Sequence, residues 1–175
     1  REDTAMVSVM LANNETGVIF PVEEIAAICR ARDVLFHTDA VQTAGKLPLD
    51  VKAMGVDYLS LSAHKLHAPK GIGLLYARQG VPWQSYLMGG GQEYGRRGGT
   101  ENVAQIIAFG KAAEMAAASM QEYVPRIRDL RDRMEEEIID AIPGATRNGA
   151  KDPRLPNTSN LSFADCEAEA ILLLL

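Results

Sequence analysis

The chain has 175 residues, 47% hydrophobic and 23% charged, with a net charge of −5. That is about one domain's length, with the balance of a protein that buries a core. There is no basic excess to grip a phosphate backbone, and the longest apolar run, Ala170 to Leu175, falls far short of the ~20 residues a membrane helix needs. Nucleic-acid and membrane partners are therefore not expected. Arg1-Glu2-Asp3-Thr4 is not the basic lead-in of a signal peptide, and Cys29 and Cys166 cannot alone build a disulfide framework or a zinc site. A cytoplasmic location is expected. The chain enters an apolar run within four residues and stops inside Leu172-Leu173-Leu174-Leu175 with no stop signal, so an internal piece of a longer chain is expected.

In chain order, Ala5 to Ala12 reads as a buried strand running into the polar loop Asn13 to Gly17. Pro21-Val22-Glu23-Glu24 opens a helix, with acids in the turn where the helix dipole favours them. Ile25, Ile28 and Cys29 share its apolar face. Val34 to Thr38 and Tyr58 to Ser62 read as further strands, with a short helix over Leu49 to Gly55 between them. Gly71 to Arg78 is a fourth strand. Strand and helix alternating in this way predict βαβ units and a parallel sheet. Ligands of such sheets sit beyond the carboxyl ends of the strands. This places Asn13-Asn14, Asp39 to Gln42 and Ser62 to Lys65 on one rim.

Gly89 to Thr100 carries six glycines in twelve residues, too long a stretch for a simple turn. An alanine-rich helix is predicted over Glu101 to Met120 and a second one starting at Pro125, with Ile127, Leu130, Met134 and Ile138 on its packed face. After Pro143-Gly144 come a polar loop (Asn148 to Asn157), a strand (Ser159 to Phe163) and a helix from Glu167. The predicted fold is α/β: residues 1–119 form part of a parallel-sheet large domain, and 120–175 begin a smaller α+β domain.

Lys65, behind Ser62 and His64 at a strand end, is placed to form a Schiff base, since partial burial lets a lysine lose its proton. A solvated strand-end lysine is the other reading of that tetrapeptide. Asp39 ends the preceding strand, where a buried carboxylate needs a cationic partner. A pyridinium nitrogen is such a partner, so Asp39 and Lys65 together match the two protein groups that pyridoxal 5'-phosphate requires. Gln42 and Asn14 are rim amides within the same pattern, and Ser62, His64 and Thr100 are candidate phosphate donors. The Gly-rich stretch lacks the Gly-Lys-Ser/Thr of a P-loop and the register of a dinucleotide loop. His64 and His67 have no third metal ligand at suitable spacing. Cys29 reads as core, and Cys166 as ordinary packing at a helix start.

Five ordered segments, NNETG (13–17), FHTDAVQTAGKLPLD (36–50), LSAHKLHAPKGIG (61–73), GGGQEYGRRGGTEN (89–102) and LSFADCEAEAILL (161–173), resemble the cysteine desulfurases. These belong to the class V aminotransferase group of fold-type I pyridoxal-phosphate enzymes, and the nitrogen-fixation and iron–sulfur type is the most similar. The resemblance implies that Lys65 bonds the cofactor and shuttles protons, and that Asp39 holds the pyridinium nitrogen. It gives Gln42 and Asn14 the ring oxygen and Ser62 and His64 the phosphate. Thr100 would reach the phosphate of a partner subunit's cofactor, making the enzyme a homodimer. The implied reaction takes L-cysteine to L-alanine and leaves the sulfur as an enzyme persulfide for an iron–sulfur scaffold or another acceptor protein. The family's phosphate loop and ring-stacking histidine are expected upstream, and its nucleophilic cysteine and substrate-binding arginine downstream. The chain by itself is therefore expected to be inactive. Another class V enzyme, an aminotransferase or selenocysteine lyase, is the alternative, as is a non-catalytic dimerisation or scaffold-docking homologue. Retention of Lys65, Asp39, Gln42 and His64 together argues against the last.

Overall fold

A computed structural model of the chain describes residues 1–174. Four strands form one sheet in the order β1 (Met6–Met10), β2 (Leu35–Asp39), β3 (Tyr58–Ser62) and β4 (Gly73–Ala77). β1, β2 and β3 run parallel, with Met10 opposite Asp39 and Asp39 opposite Ser60. α1 (Val22–Arg30) connects β1 to β2, and α2 (Val51–Met54) connects β2 to β3. Asp50 caps α2 by accepting the Lys52 and Ala53 amides at 2.9 and 3.1 Å, which supplies partners for donors the helix start leaves orphaned. These are the predicted βαβ units.

β4 departs from the parallel expectation, because it pairs antiparallel with β3, Ser62 lying opposite Gly73. The link between them, residues 63–72, is a 3₁₀ turn over Ala63–Leu66 and a short loop. It is shorter than the roughly dozen residues a parallel crossover requires, so the chain turns straight back.

One sheet face is apolar and packs on α1 and α2. Its core comprises Leu11, Val22, Ala26, Cys29, Phe36, Met54, Val56 and Leu59. Cys29 is thus core, as predicted. The opposite face is mixed, with Ser8, His37, Asp39 and Ser60 beside Met6, Met10 and Leu75, and is partly open. β1 was expected to be buried, yet it is an edge strand whose burial alternates, with Met6 and Met10 exposed on the open side.

The two helices expected on either side of Pro125 are one helix, α4 (Val103–Ala141), 39 residues long with Pro125 inside it. An interior proline forfeits one backbone bond. Pro125 is exposed, so water can reach the carbonyl it leaves free, and packing at both ends of α4 holds the axis together. Near its start Phe109, Ala112 and Ala116 pack against Ala44, Ala63 and Leu66. Near its end the buried residues are Arg131 and Glu135, whereas Leu130 and Met134 of the predicted apolar face are each 42% exposed. The packed face there is the charged one.

β5 (Ala145–Arg147) and β6 (Leu161–Phe163) make a separate antiparallel pair, followed by α5 (Ala168–Leu174). The intervening polar segment docks on the loop after β1. Ile19 N donates to Pro153 O at 3.1 Å and Leu155 N to Gly17 O at 2.8 Å. No described helix is long and apolar enough to cross a membrane. The short helical turn α3 (Gln92–Gly95) lies in the Gly-rich stretch, where Gly98 N donates to Leu87 O at 2.7 Å and Gly99 N to Gln92 Oε1 at 3.1 Å.

Candidate cofactor site at the sheet rim

β2 ends at Asp39 and β3 at Ser62, and parallel strands deliver both residues to the same edge of the sheet. The ladder runs on past the strand ends: Leu11 N donates to Asp39 O at 2.8 Å and Ala40 N to Ser60 O at 3.0 Å. The chain leaving β2 then folds into a tight turn. Buried Thr43 donates its hydroxyl to Ala40 O at 2.9 Å, which fixes the half-buried Gln42 beside it.

Asp39 was expected to be buried and is instead exposed. Its Oδ1 accepts the Val41 amide at 2.8 Å, which orients the carboxylate from within its own turn. An exposed carboxylate held this way needs no internal cation and is available to an external one. Lys65 is also exposed, on the 3₁₀ turn after β3. The buried residues Ala63 and Leu66 anchor that turn on either side of His64 and Lys65, so both polar side chains face outward. Ser62 Oγ lies 2.8 Å from His64 Nδ1, which pairs the two candidate phosphate donors.

Lys46, in the turn after β2, is half-buried. Its pKa is lowered first by burial and second by the ammonium charge of Lys65. Its Nζ donates to the Gln42 carbonyl at 2.8 Å.

Asn14 is exposed on the loop after β1. The preceding residue organises that loop: Asn13 Oδ1 accepts the Glu15 and Thr16 amides, both at 2.9 Å, and the Thr16 hydroxyl at 3.1 Å. Thr100 is exposed on the Gly-rich loop that leads into α4 rather than on the sheet. Cys166 is exposed between β6 and α5. The structure thus gathers Asp39, Gln42, Ser62, His64 and Lys65 at one end of β2 and β3, and brings the Asn14 loop to that end through β1.

Sequence reasoning missed a polar row on the open face of the sheet. Ser8 Oγ lies 2.7 Å from His37 Nδ1, and His37 Nε2 lies 3.3 Å from Ser60 Oγ. The signal was available, because strand alternation puts His37 on the same face as Asp39. The row fixes the imidazole plane next to the rim carboxylate.

An exposed carboxylate and an exposed amine at one end of the sheet, with an amide and a hydroxyl–imidazole pair beside them, fit a phosphorylated pyridine aldehyde, whose ring nitrogen takes an acidic partner and whose aldehyde takes a lysine. Residues 1–175 match the family described as aminotransferase class-V. The chain belongs to that family. Cysteine desulfurase 2 of Trichormus variabilis is 54% identical over 171 residues, which is 98% of this chain and 43% of that protein. Cysteine desulfurase NifS of Azotobacter vinelandii is 52% identical over 174 residues, 99% of this chain and 43% of that protein. Among solved structures, the NifS-like protein from Rickettsia africae superposes with a TM-score of 0.92 at 32% identity, over 97% of this chain and 47% of that one. A second NifS-like protein gives a TM-score of 0.93 at 40% identity, over 99% of this chain and 48% of that one. The chain therefore spans a little under half the length of the curated cysteine desulfurases it matches.

Proposed function

We propose that this class V chain is the cofactor-binding part of a pyridoxal-phosphate-dependent cysteine desulfurase, which converts L-cysteine to L-alanine and passes the sulfur to an enzyme cysteine as a persulfide. The observation that carries this reading is the shared rim of Asp39 and Lys65 at the carboxyl ends of two adjacent parallel strands. Bound pyridoxal phosphate supplies an aldehyde that captures amines and a protonated ring that withdraws electrons. Lys65 is the amine that holds the aldehyde and, once released, the base that moves the substrate's α-proton. Asp39, exposed and oriented by the Val41 amide, keeps the ring nitrogen protonated. Gln42 and Asn14 donate to the ring oxygen, and the Ser62–His64 pair binds the phosphate. Thr100, on an exposed loop away from the sheet, serves the phosphate of a second subunit.

The protein works in this reading as a cytoplasmic homodimer that hands sulfur to an iron–sulfur scaffold or a comparable acceptor protein. The naming of relatives as NifS and IscS cysteine desulfurases supports it. Residues 1–119 belong to the cofactor domain and 120–175 open a smaller one, with α4 running continuously through the junction.

The test is sulfide release from L-cysteine by the complete protein with added pyridoxal phosphate. Activity that Lys65→Ala abolishes and Lys46→Ala retains supports the reading. An active Lys65→Ala protein overturns it.

A further inference from the structure

We infer that the buried Glu135–Arg154 ion pair is a positioning device for Asn14, clamping the loop that carries this residue to α4. The inference rests on the proposed role of Asn14 at the cofactor. Glu135 has no exposed side-chain surface and Arg154 has 1%. They meet in a two-pronged contact, Nη1 to Oε1 and Nη2 to Oε2, both at 2.6 Å. Arg147 adds a third bond to Glu135 at 2.6 Å, and Arg131 donates to the Leu155 carbonyl.

The segment held by these charges grips the loop after β1. Arg154 forms an antiparallel bridge with Val18, its neighbours Pro153 and Leu155 bond Ile19 and Gly17, and Asn160 Nδ2 reaches Glu15 O at 3.4 Å. At Gly17 (φ +75°) the approach is so close that a Cβ would lie 2.7 Å from Thr158 Cβ and 3.0 Å from Arg154 Cγ. The loop is closed on itself as well, Gly17 N donating to Asn13 O at 3.0 Å and Asn13 N to Val18 O at 2.9 Å. Asn14 is thus an exposed residue in a loop fastened on both sides.

A hydrophobic contact would stabilise this junction at least as well, because burying charges is costly and Arg154 Nε is buried without a partner. What the two-pronged pair adds is direction: it permits one register and one angle of approach. That is the property a loop carrying a ligand-contacting amide needs.

The test uses the complete protein with Arg154→Lys and, in case that variant does not fold, Glu135→Gln, each in the native and the Asn14→Ala backgrounds. Amide exchange and pyridoxal phosphate affinity, read from the visible absorbance of the bound cofactor, are measured for all. We expect exchange at Gly17 and Leu155 to rise about tenfold while β2 and β3 stay protected. Affinity should fall about threefold or more in the native background and not at all with Asn14→Ala, the signature of coupled residues. Equal losses of affinity in both backgrounds, or unchanged exchange at Gly17, overturn the inference. Absence of cofactor binding in the wild-type protein overturns the functional reading, whereas unchanged exchange at Gly17 in a protein that binds the cofactor overturns the inference alone.

Discussion

Lys46 donates its ammonium to the Gln42 carbonyl at 2.8 Å and is half-buried, while Lys65, whose charge it feels, stands exposed on the neighbouring turn. Burial, then Lys65, lowers the Lys46 pKa. Removing a like charge favours the protonated form, so Lys65→Ala should move the Lys46 titration upward in pH. Nitrogen-detected NMR of lysine side chains reads this directly. A downward or absent movement would show that the two amines do not interact.

Glu135 predicts an acid limb in stability. Burial alone would push its carboxyl up, but hydrogen bonds from Arg154, Arg147 and Ser159, with the charge of Arg154, bring it down from 4.5 to about 2. A depressed carboxylate contributes its full stabilisation above the unfolded value and loses it as pH falls toward the folded one. The window is therefore about pH 4.5 down to 2, and the shift corresponds to roughly 3 kcal/mol. Urea unfolding of Glu135→Gln should show lower stability at neutral pH and a flatter response across that window. A parallel, undiminished acid limb would count against the ion pair as its source.

Much of the fold was legible because α1, β2 and β3 carry local signals: acids in a first turn, short apolar runs, polar stops. The rim was legible for the same reason, since strand ends are marked by the polar residues that follow them. Strand direction at β4 was not, because it depends on how far the link between Ser62 and Gly73 can reach. The long α4 was misread at Pro125, where the local penalty is outweighed by packing at Phe109 and at Glu135, residues distant in sequence. Glu135 and Arg131 stand in the sequence as charges between apolar positions, and only the arginines arriving from 147 and 154 make burial of Glu135 affordable. Asp39 read as buried because nothing in its neighbourhood reveals that one sheet face is open.

Asp39→Asn in the complete protein should lower turnover much more than cofactor content. The amide leaves the contacts of Lys65, Ser62 and His64 in place but cannot keep the ring nitrogen protonated. Turnover against cysteine and cofactor occupancy by absorbance separate the two effects, and unchanged turnover would remove Asp39 from the mechanism.

Gly98→Ala should loosen the Gly-rich loop. A Cβ at this buried position would sit 2.7 Å from Gly89 N and 2.8 Å from Met88 C, both backbone atoms that cannot yield cheaply. A cost of about 1–3 kcal/mol is expected for such overpacking. Limited proteolysis should cut between residues 88 and 100 faster in the variant, and an unchanged rate would show that the loop adapts.

The 175-residue chain on its own should release no sulfide from L-cysteine, even with pyridoxal phosphate. Cys29 is buried against the apolar face of the sheet, and Cys166 follows β6 in the separate two-stranded sheet. A nucleophile that is not positioned contributes nothing measurable, because such groups act as a unit. Sulfide production abolished by Cys166→Ser would show that the nucleophile lies within this chain.

Borohydride trapping decides whether Lys65 holds the cofactor. The complete protein is loaded with pyridoxal phosphate, reduced, digested and mapped by mass spectrometry. A pyridoxyl group is expected on Lys65, the exposed amine on the turn after β3. A label on Lys46, whose amine is half-buried and bonded to Gln42, or on Lys70 would remove Lys65 from that role.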